Sequence, residues 1–436
     1  MLERLGFPSV GRHRKFVTAI GVDAVGSGVF MPVSMLYFLA TTDLSLVQVG
    51  LAISIASALA LPAGPLLGGV IDQLGAKRVL LAGNLLQGLG FAAYLISESF
   101  TSVLVWTLVV SVGRTAFWGS YGNIVTAISS PGEREMWFGF LGALRNVGFA
   151  VGGLLSGLAI TIGTDAAYAG VVVLNAASYF LAFALLLAVP DTGSAATHTR
   201  EPGSWATVLR DRQYGLLVVT QFGYSFAMMA LNFAMPIYAS ETLDLAGWVI
   251  GAIFVINTVM IGFGQGLVVK RLTGVVRARA LVTANLVFAA SFLVMLGADL
   301  TAYAVAVVVV LAATVVYTMA ELIGGPVYVA LGAEAAPDHL RGRYLSLIQL
   351  TWGVASSIAP VTFAWLLARG ATELWLALTA VSLLGALIAV VLAGCRTPPP
   401  ASPTRPRSRC RSPDKPAGRD RSSRAVAAWH GDLRQI

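Results

Sequence analysis

Twelve stretches of this chain are long and apolar enough to leave little choice of solvent. They run over 16–39, 46–71, 78–97, 102–125, 138–161, 167–189, 214–239, 247–269, 279–298, 302–330, 343–367 and 372–394. About 20 apolar residues, wound as a helix, match the hydrocarbon thickness of a bilayer. No water reaches the backbone there, so each segment must satisfy its own N–H and C=O groups. None of the twelve alternates with a period of two, which argues against a β-barrel. Composition agrees: 57% of residues are hydrophobic and 11% charged, with mean hydropathy +0.78, whereas a soluble domain carries about 25% charged residues. The expected fold class is an all-α membrane protein with twelve transmembrane helices.

Charge sets the orientation, because Lys and Arg accumulate in cytoplasmic loops. Of the 29 Lys and Arg residues, 26 fall on the side of the amino terminus, only Arg369 falls on the other, and Arg114 and Arg145 lie inside spans. Both termini are therefore expected in the cytoplasm. The net charge of +8 is mostly this orientation signal, and no nucleic-acid partner is expected. A basic tail, 395–436, is rich in Pro, Ser and Arg and is expected to be disordered, either solvated or touching anionic lipid heads. The basic start, 1–15, precedes a span too long for the core of a cleavable signal. Cys395 and Cys410 are the only cysteines, which leaves no disulfide framework. Four Lys against 25 Arg point to a GC-rich genome, hence a bacterial plasma membrane.

The chain also repeats itself. Residues 190–213 form the longest polar stretch before the tail and split the spans six and six, giving expected bundles at 16–189 and 214–394. "FMPV" at 30–33 matches "AMPI" at 234–237. Gly75 and Arg78 match Gly274 and Arg277 at an offset of 199, and Arg134 matches Arg341 at 207. Two six-helix halves related by an axis along the membrane normal are a known transporter plan, with the substrate site between them.

Three motifs carry a family resemblance. "GGVIDQLGAKR", 68–78, resembles the signature G-x-L-A-D-R-x-G-R-K/R of the major facilitator superfamily. Gly68, Asp72, Gly75 and Lys77 match and Arg78 follows, while Gln73 and Ala76 depart from it. "GFAVGG", 148–153, is similar to the G-P-x-x-G-G antiporter motif of drug-exporting members through Gly148, Gly152 and Gly153, with Phe149 in place of the Pro. Arg114 stands where that branch has an intramembrane Arg. The resemblance covers about residues 12 to 395. It implies two pseudo-symmetric six-helix bundles that rock about a central site. It also implies a role in proton coupling for Arg114, and a charge latch at Asp72 closing the cytoplasmic face. With Gln73 in place of a base, that latch is weaker or takes Arg134 as its cation.

Four ionisable residues lie well inside spans: Asp23, Arg114, Arg145 and Glu321. A charge at the helix centre costs about 2.5–3.5 kcal/mol on insertion scales, so each needs a partner or a task. At about 1.5 Å per residue, Asp23 and Arg145 each lie roughly 10 Å from the cytoplasmic edge. Arg114 and Glu321 each stand twenty residues before their loop arginines, Arg134 and Arg341, which makes them repeat equivalents near mid-membrane. Glu321 or Asp23 is expected either to titrate during transport or to form a fixed ion pair. Desolvation disfavours a carboxylate's charge and a nearby Arg favours it, so moving an Arg would exchange a proton. Arg145 either snorkels or pairs locally. "ELIGGP", 321–326, is expected to weaken or kink span 10 just past Glu321.

Tyr37, Trp118, Tyr121, Gln221, Tyr224, Asn232, Asn257 and Trp352 are candidates to line a substrate cavity, with Asn123, Gln265 and Gln349 beside them. Apolar and aromatic, with few charges, the set suits a hydrophobic or amphipathic ligand. There is no G-x-x-x-x-G-K-[ST] loop for ATP and no metal-ligand spacing among His13, His198, His339 and His430. No cofactor is expected beyond a proton gradient as driving force, and no catalytic residue. The expected function is proton-coupled export of small hydrophobic or amphipathic compounds by a monomer. Proton-coupled uptake is the alternative, and a polytopic receptor or membrane enzyme the remote one.

Overall fold

The computed structural model describes residues 10–129, 134–189, 208, 210–272, 275–335 and 341–394, all helical or in short connections. The basic tail and most of the 190–213 segment lie outside them. Twelve helical passages follow one another: α1 (Arg14–Thr41), α2 (Leu46–Ala60 and Ala63–Leu74), α3 (Ala76–Tyr94), α4 (Phe100–Ile128), α5 (Arg134–Ile162), α6 (Asp165–Leu187), α7 (Arg212–Thr242), α8 (Gly247–Leu272), α9 (Arg277–Met295), α10 (Tyr303–Glu334), α11 (Arg341–Arg369) and α12 (Ala371–Gly394). Among the described residues, ten are by length and composition apolar enough to cross a membrane. The others are α3, which carries Lys77, Arg78, Asn84 and Gln87, and α2. The apolar stretch 46–71 is not one unbroken helix: α2 turns at Leu61–Pro62, where proline removes an N–H from the ladder.

Helix starts are fixed locally. Ser45 and Gln48 form a capping box for α2, Ser99 and Ser102 one for α4, and Thr164 caps α6, each satisfying N–H groups that lack a helical partner. α1 and α7 share an irregular middle. α1 passes through a 3₁₀ turn at Met31–Val33, and α7 through π turns at Ala230–Ala234 and Tyr238–Thr242 around Pro236.

The packing repeats with a period of six helices. α1 packs on α5 and α6 as α7 packs on α11 and α12; α3 packs on α4 and α6 as α9 packs on α10 and α12; α2 meets α4 as α8 meets α10. Across the halves, α5 packs on α8 and α11 on α2. Hydrogen bonds repeat as well. Tyr37 donates to the Tyr94 carbonyl at 3.0 Å, and Tyr238 to that of Met295 at 3.1 Å. Asn84 donates to Leu80 and Asn285 to Leu281. These pairs set the offset at 201, so Pro32 and Pro236 are three residues out of register. The "FMPV" and "AMPI" match is therefore local likeness within a true repeat.

The halves meet at the end remote from the described start of the chain. A Cβ on Gly157 of α5 would lie 2.9 Å from the Gly251 Cα of α8, and one on Gly50 of α2 would lie 2.7 Å from the Pro360 carbonyl of α11. There the Val361 N–H donates to Ser54 Oγ at 3.0 Å. At the opposite end of these helices, Gly68 and Gly69 of α2, Gly139 and Gly142 of α5, and Gly262 and Gly266 of α8 face open space. The space between the halves thus opens toward the end where α1 begins.

The short α2–α3 turn explains its own composition. Gly75 has φ +85°, a conformation that disfavours a side chain. Lys77 then reaches across to donate to the Leu187 carbonyl at 3.2 Å and to that of Val189, at the end of α6. A cation there completes orphan carbonyls and meets the negative end of the helix dipole. Lys77→Met is expected to destabilise the protein by about 0.5–1 kcal/mol, read as a small drop in melting temperature in detergent, with Lys77→Arg restoring it.

Candidate functional site

In the first half one ion pair organises the interior. Asp23 of α1 is 3% exposed, and Arg145 of α5 donates from Nη1 to its Oδ2 at 2.8 Å. The Ser27 and Tyr179 hydroxyls, 3.0 Å apart, complete the polar cluster. The Arg145 guanidinium also lies over Trp118 at 4.7 Å, Phe149 at 5.5 Å and Phe117 at 5.8 Å from the ring centroids, where ring quadrupoles attract it. Glycine makes this geometry possible. A Cβ on Gly148 would lie 2.6 Å from Ala24 Cβ, and one on Gly152 would lie 2.5 Å from the Gly28 carbonyl carbon. Without side chains there, α5 comes against α1 at the level of Asp23. Gly153 faces the other way, toward Phe254 of α8. The glycines of "GFAVGG" therefore hold α5 against both its own half and the other.

Arg114 stands apart from this pair. It is exposed on α4, one turn before Trp118, and makes no ion pair among the described residues. Nor is it level with Glu321. Gly113 abuts Gly83 and Gln87, and Tyr317 packs on Phe288, the residue that matches Gln87 at offset 201. Glu321 therefore corresponds to Phe117, about one turn from Arg114's counterpart. Counting back from loop arginines misplaced it, because the loop ends of the two helices do not match.

In the second half the acid has an amide for a partner. Asn257 Nδ2 of α8 donates to Glu321 Oε2 at 2.8 Å and lies 3.2 Å from Thr318 Oγ1. No cation meets this carboxylate among the described residues. The Tyr224 hydroxyl of α7 donates to the Glu321 backbone carbonyl at 3.2 Å. Its ring fits there because residue 324 is glycine; a Cβ would lie 2.5 Å from the ring. The expected weak point at Pro326 is a continuous helix through Glu334. Pro326 leaves the Leu322 carbonyl without its helical donor, and Gln265 of α8 supplies one at 3.4 Å. A neighbouring side chain thus does what the backbone cannot.

The other candidates divide by exposure. Trp118 is 49% exposed, and Asn232 and Trp352 are partly so. Tyr37, Tyr121, Gln221 and Tyr224 are buried and pack between helices. Gln221 bonds Ser225 and leaves its Oε1 without a partner. In the gating set, Arg78 is exposed; at the offset of 201 its counterpart is Arg279, and the neighbouring Arg277 pairs with Glu334. The side chains of Asp72, Arg134 and Arg341 lie outside the described residues. Sequence reading passed over Ser27, Tyr179, Thr318 and the Asp211–Tyr344 contact at 3.1 Å that joins the starts of α7 and α11. Ordinary hydroxyls on helices give no spacing signal.

Comparison with known proteins places this architecture. The profile of the Major Facilitator Superfamily matches residues 16–360. The class D tetracycline resistance protein of Salmonella ordonez is 25% identical over 411 residues, covering 88% of this chain and 96% of that protein. The multidrug resistance protein MdtH of Aeromonas salmonicida (strain A449) is 26% identical over 229 residues, 51% of this chain and 56% of MdtH. Among solved structures, a bacterial homologue of the iron transporter ferroportin in its inward-facing state has a TM-score of 0.73 at 13% identity, over 88% of this chain and 99% of that one. A mutant of the nucleoside transporter NupG has a TM-score of 0.72, also at 13% identity, over 87% and 99%. At such identity the structural likeness is one of fold.

Proposed function

Because the chain belongs to the major facilitator superfamily, whose members are transporters and not enzymes, we propose that it is a proton-coupled exporter of small hydrophobic or amphipathic compounds. It works by alternating access in a bacterial plasma membrane, with both termini in the cytoplasm and residues 16–189 and 214–394 as the moving halves. The observation that carries this reading is the state of Glu321. It is an acid inside a span that touches an amide and, among the described residues, no cation. Asp23, by contrast, already holds Arg145. A carboxylate in apolar surroundings needs its charge balanced. With no fixed cation, a proton or a ligand must do it, and the two then exclude each other. That exclusion is what couples substrate leaving to proton entry. Asp23 and Arg145 act as a brace between α1 and α5. The tetracycline and multidrug resistance proteins among the relatives support the direction of transport and the substrate class. Asp72, with Arg134 as its cation, serves as the cytoplasmic latch.

Inside-out vesicles test this. With a respiration-driven pH gradient, acid inside, an added amphiphile of the tetracycline kind is expected to collapse the gradient and accumulate in the lumen. Vesicles that carry the protein but show neither effect for any of a panel of such compounds would overturn the exporter.

A further inference from the structure

The charges set inside the spans do not balance within either half. Asp23 and Arg145 neutralise each other. Arg114 takes no part in that pair and has no ion-pair partner among the described residues. It is exposed, one helical turn from Trp118 and on the same face. The Trp118 ring, 49% exposed, meets Arg145 at 4.7 Å and still offers apolar surface. A lone cation at this depth needs water or a counter-ion. The second half presents the complement: Glu321, partly exposed, held among the described residues by Asn257 alone of the polar side chains. A guanidinium takes a carboxylate in a two-pronged hydrogen bond, and an indole takes a flat ring.

We propose that the substrate is a zwitterionic aromatic amphiphile, whose acidic group pairs with Arg114 beside Trp118 and whose ammonium group pairs with Glu321. The inference rests on Glu321 as the proton-exchanging acid. The ammonium group and the proton compete for that one carboxylate, which keeps the exchange antiport. An acidic group alone would pair with Arg114, leave Glu321 to take a proton, and travel together with that proton, as in uptake. A molecule carrying both charges bridges the halves and meets a complement in each.

The test uses one aromatic skeleton in three forms: the amino acid, its methyl ester and its N-acetyl acid. Each is added to energised inside-out vesicles containing the full chain, and the concentration giving half-maximal collapse of the pH gradient is read against vesicles lacking the protein. The amino acid is expected to act at a concentration about tenfold or more below either relative, the scale of one hydrogen-bonded charge pair. Arg114→Gln should bring the amino acid and the ester within about twofold of each other, and Arg114→Lys should keep part of the preference. If the ester matches or beats the amino acid on the unaltered protein, the zwitterion proposal falls while the exporter stands. If none of the three, nor the wider panel, collapses the gradient, the exporter reading falls and takes this proposal with it.

Discussion

Glu321→Gln is expected to turn an active exporter into a carrier that only equilibrates its substrate. Gln has the shape of Glu and keeps an oxygen for Asn257 Nδ2, which donates to Oε2 at 2.8 Å in the native protein. The Tyr224 bond goes to the backbone carbonyl and survives unchanged. What disappears is the ionisable group alone. Uphill accumulation in energised vesicles should fall to background, and added substrate should no longer release protons. Downhill flux should continue, weaker by on the order of 10- to 100-fold in apparent affinity for a cationic group, since a hydrogen bond to a charge is worth about 1.5–3 kcal/mol. An Asn257→Leu variant separates positioning from proton carriage. It should shift the pH at which transport is half-maximal while leaving accumulation measurable, because the carboxylate is still present. Unchanged dependence on the pH gradient in Glu321→Gln would remove this acid from the coupling path.

How much of this was legible in the sequence follows from how local each constraint is. The spans were readable because the bilayer imposes one rule on every segment alike. Gly75 was readable because a tight turn between two apolar runs needs a residue free to take positive φ, and it does. The twofold repeat of six helices was readable as a period of about 200. Its register was not, because the proline matches and loop arginines are set by local breaks and loop lengths. Packing fixes it instead, through pairs such as Tyr37 with Tyr94 and Tyr238 with Met295. The polar residues of the interior were visible one by one. Which would meet was not, since Asp23 and Arg145 are 122 residues apart and meet only because glycines let α5 approach α1. In retrospect those glycines were the signal. Gly148 and Gly152, four residues apart, mark the face on which α5 meets another backbone, and Arg145 lies one turn before Gly148 toward that face.

That approach makes the second large prediction a double-mutant cycle. Arg145→Met leaves Asp23 buried without its cation. Breaking a buried pair from one side costs about 3–5 kcal/mol, so this variant should melt far below the native protein in detergent or fail to accumulate in the membrane. Asp23→Asn is milder. Arg145 keeps three aromatic rings within 6 Å, and Asn still offers an oxygen to its Nη1. The double variant, Asp23→Asn with Arg145→Met, removes both charges and should regain most of the lost stability, because an apolar replacement of a buried pair is often nearly neutral. The cycle also decides what the pair is for. A brace predicts that the double variant, once folded, still exchanges protons for substrate through Glu321. A working proton site at Asp23 predicts a stable protein that transports without coupling. Because the two outcomes are read on the same folded sample, a loss of coupling there could not be blamed on a loss of fold.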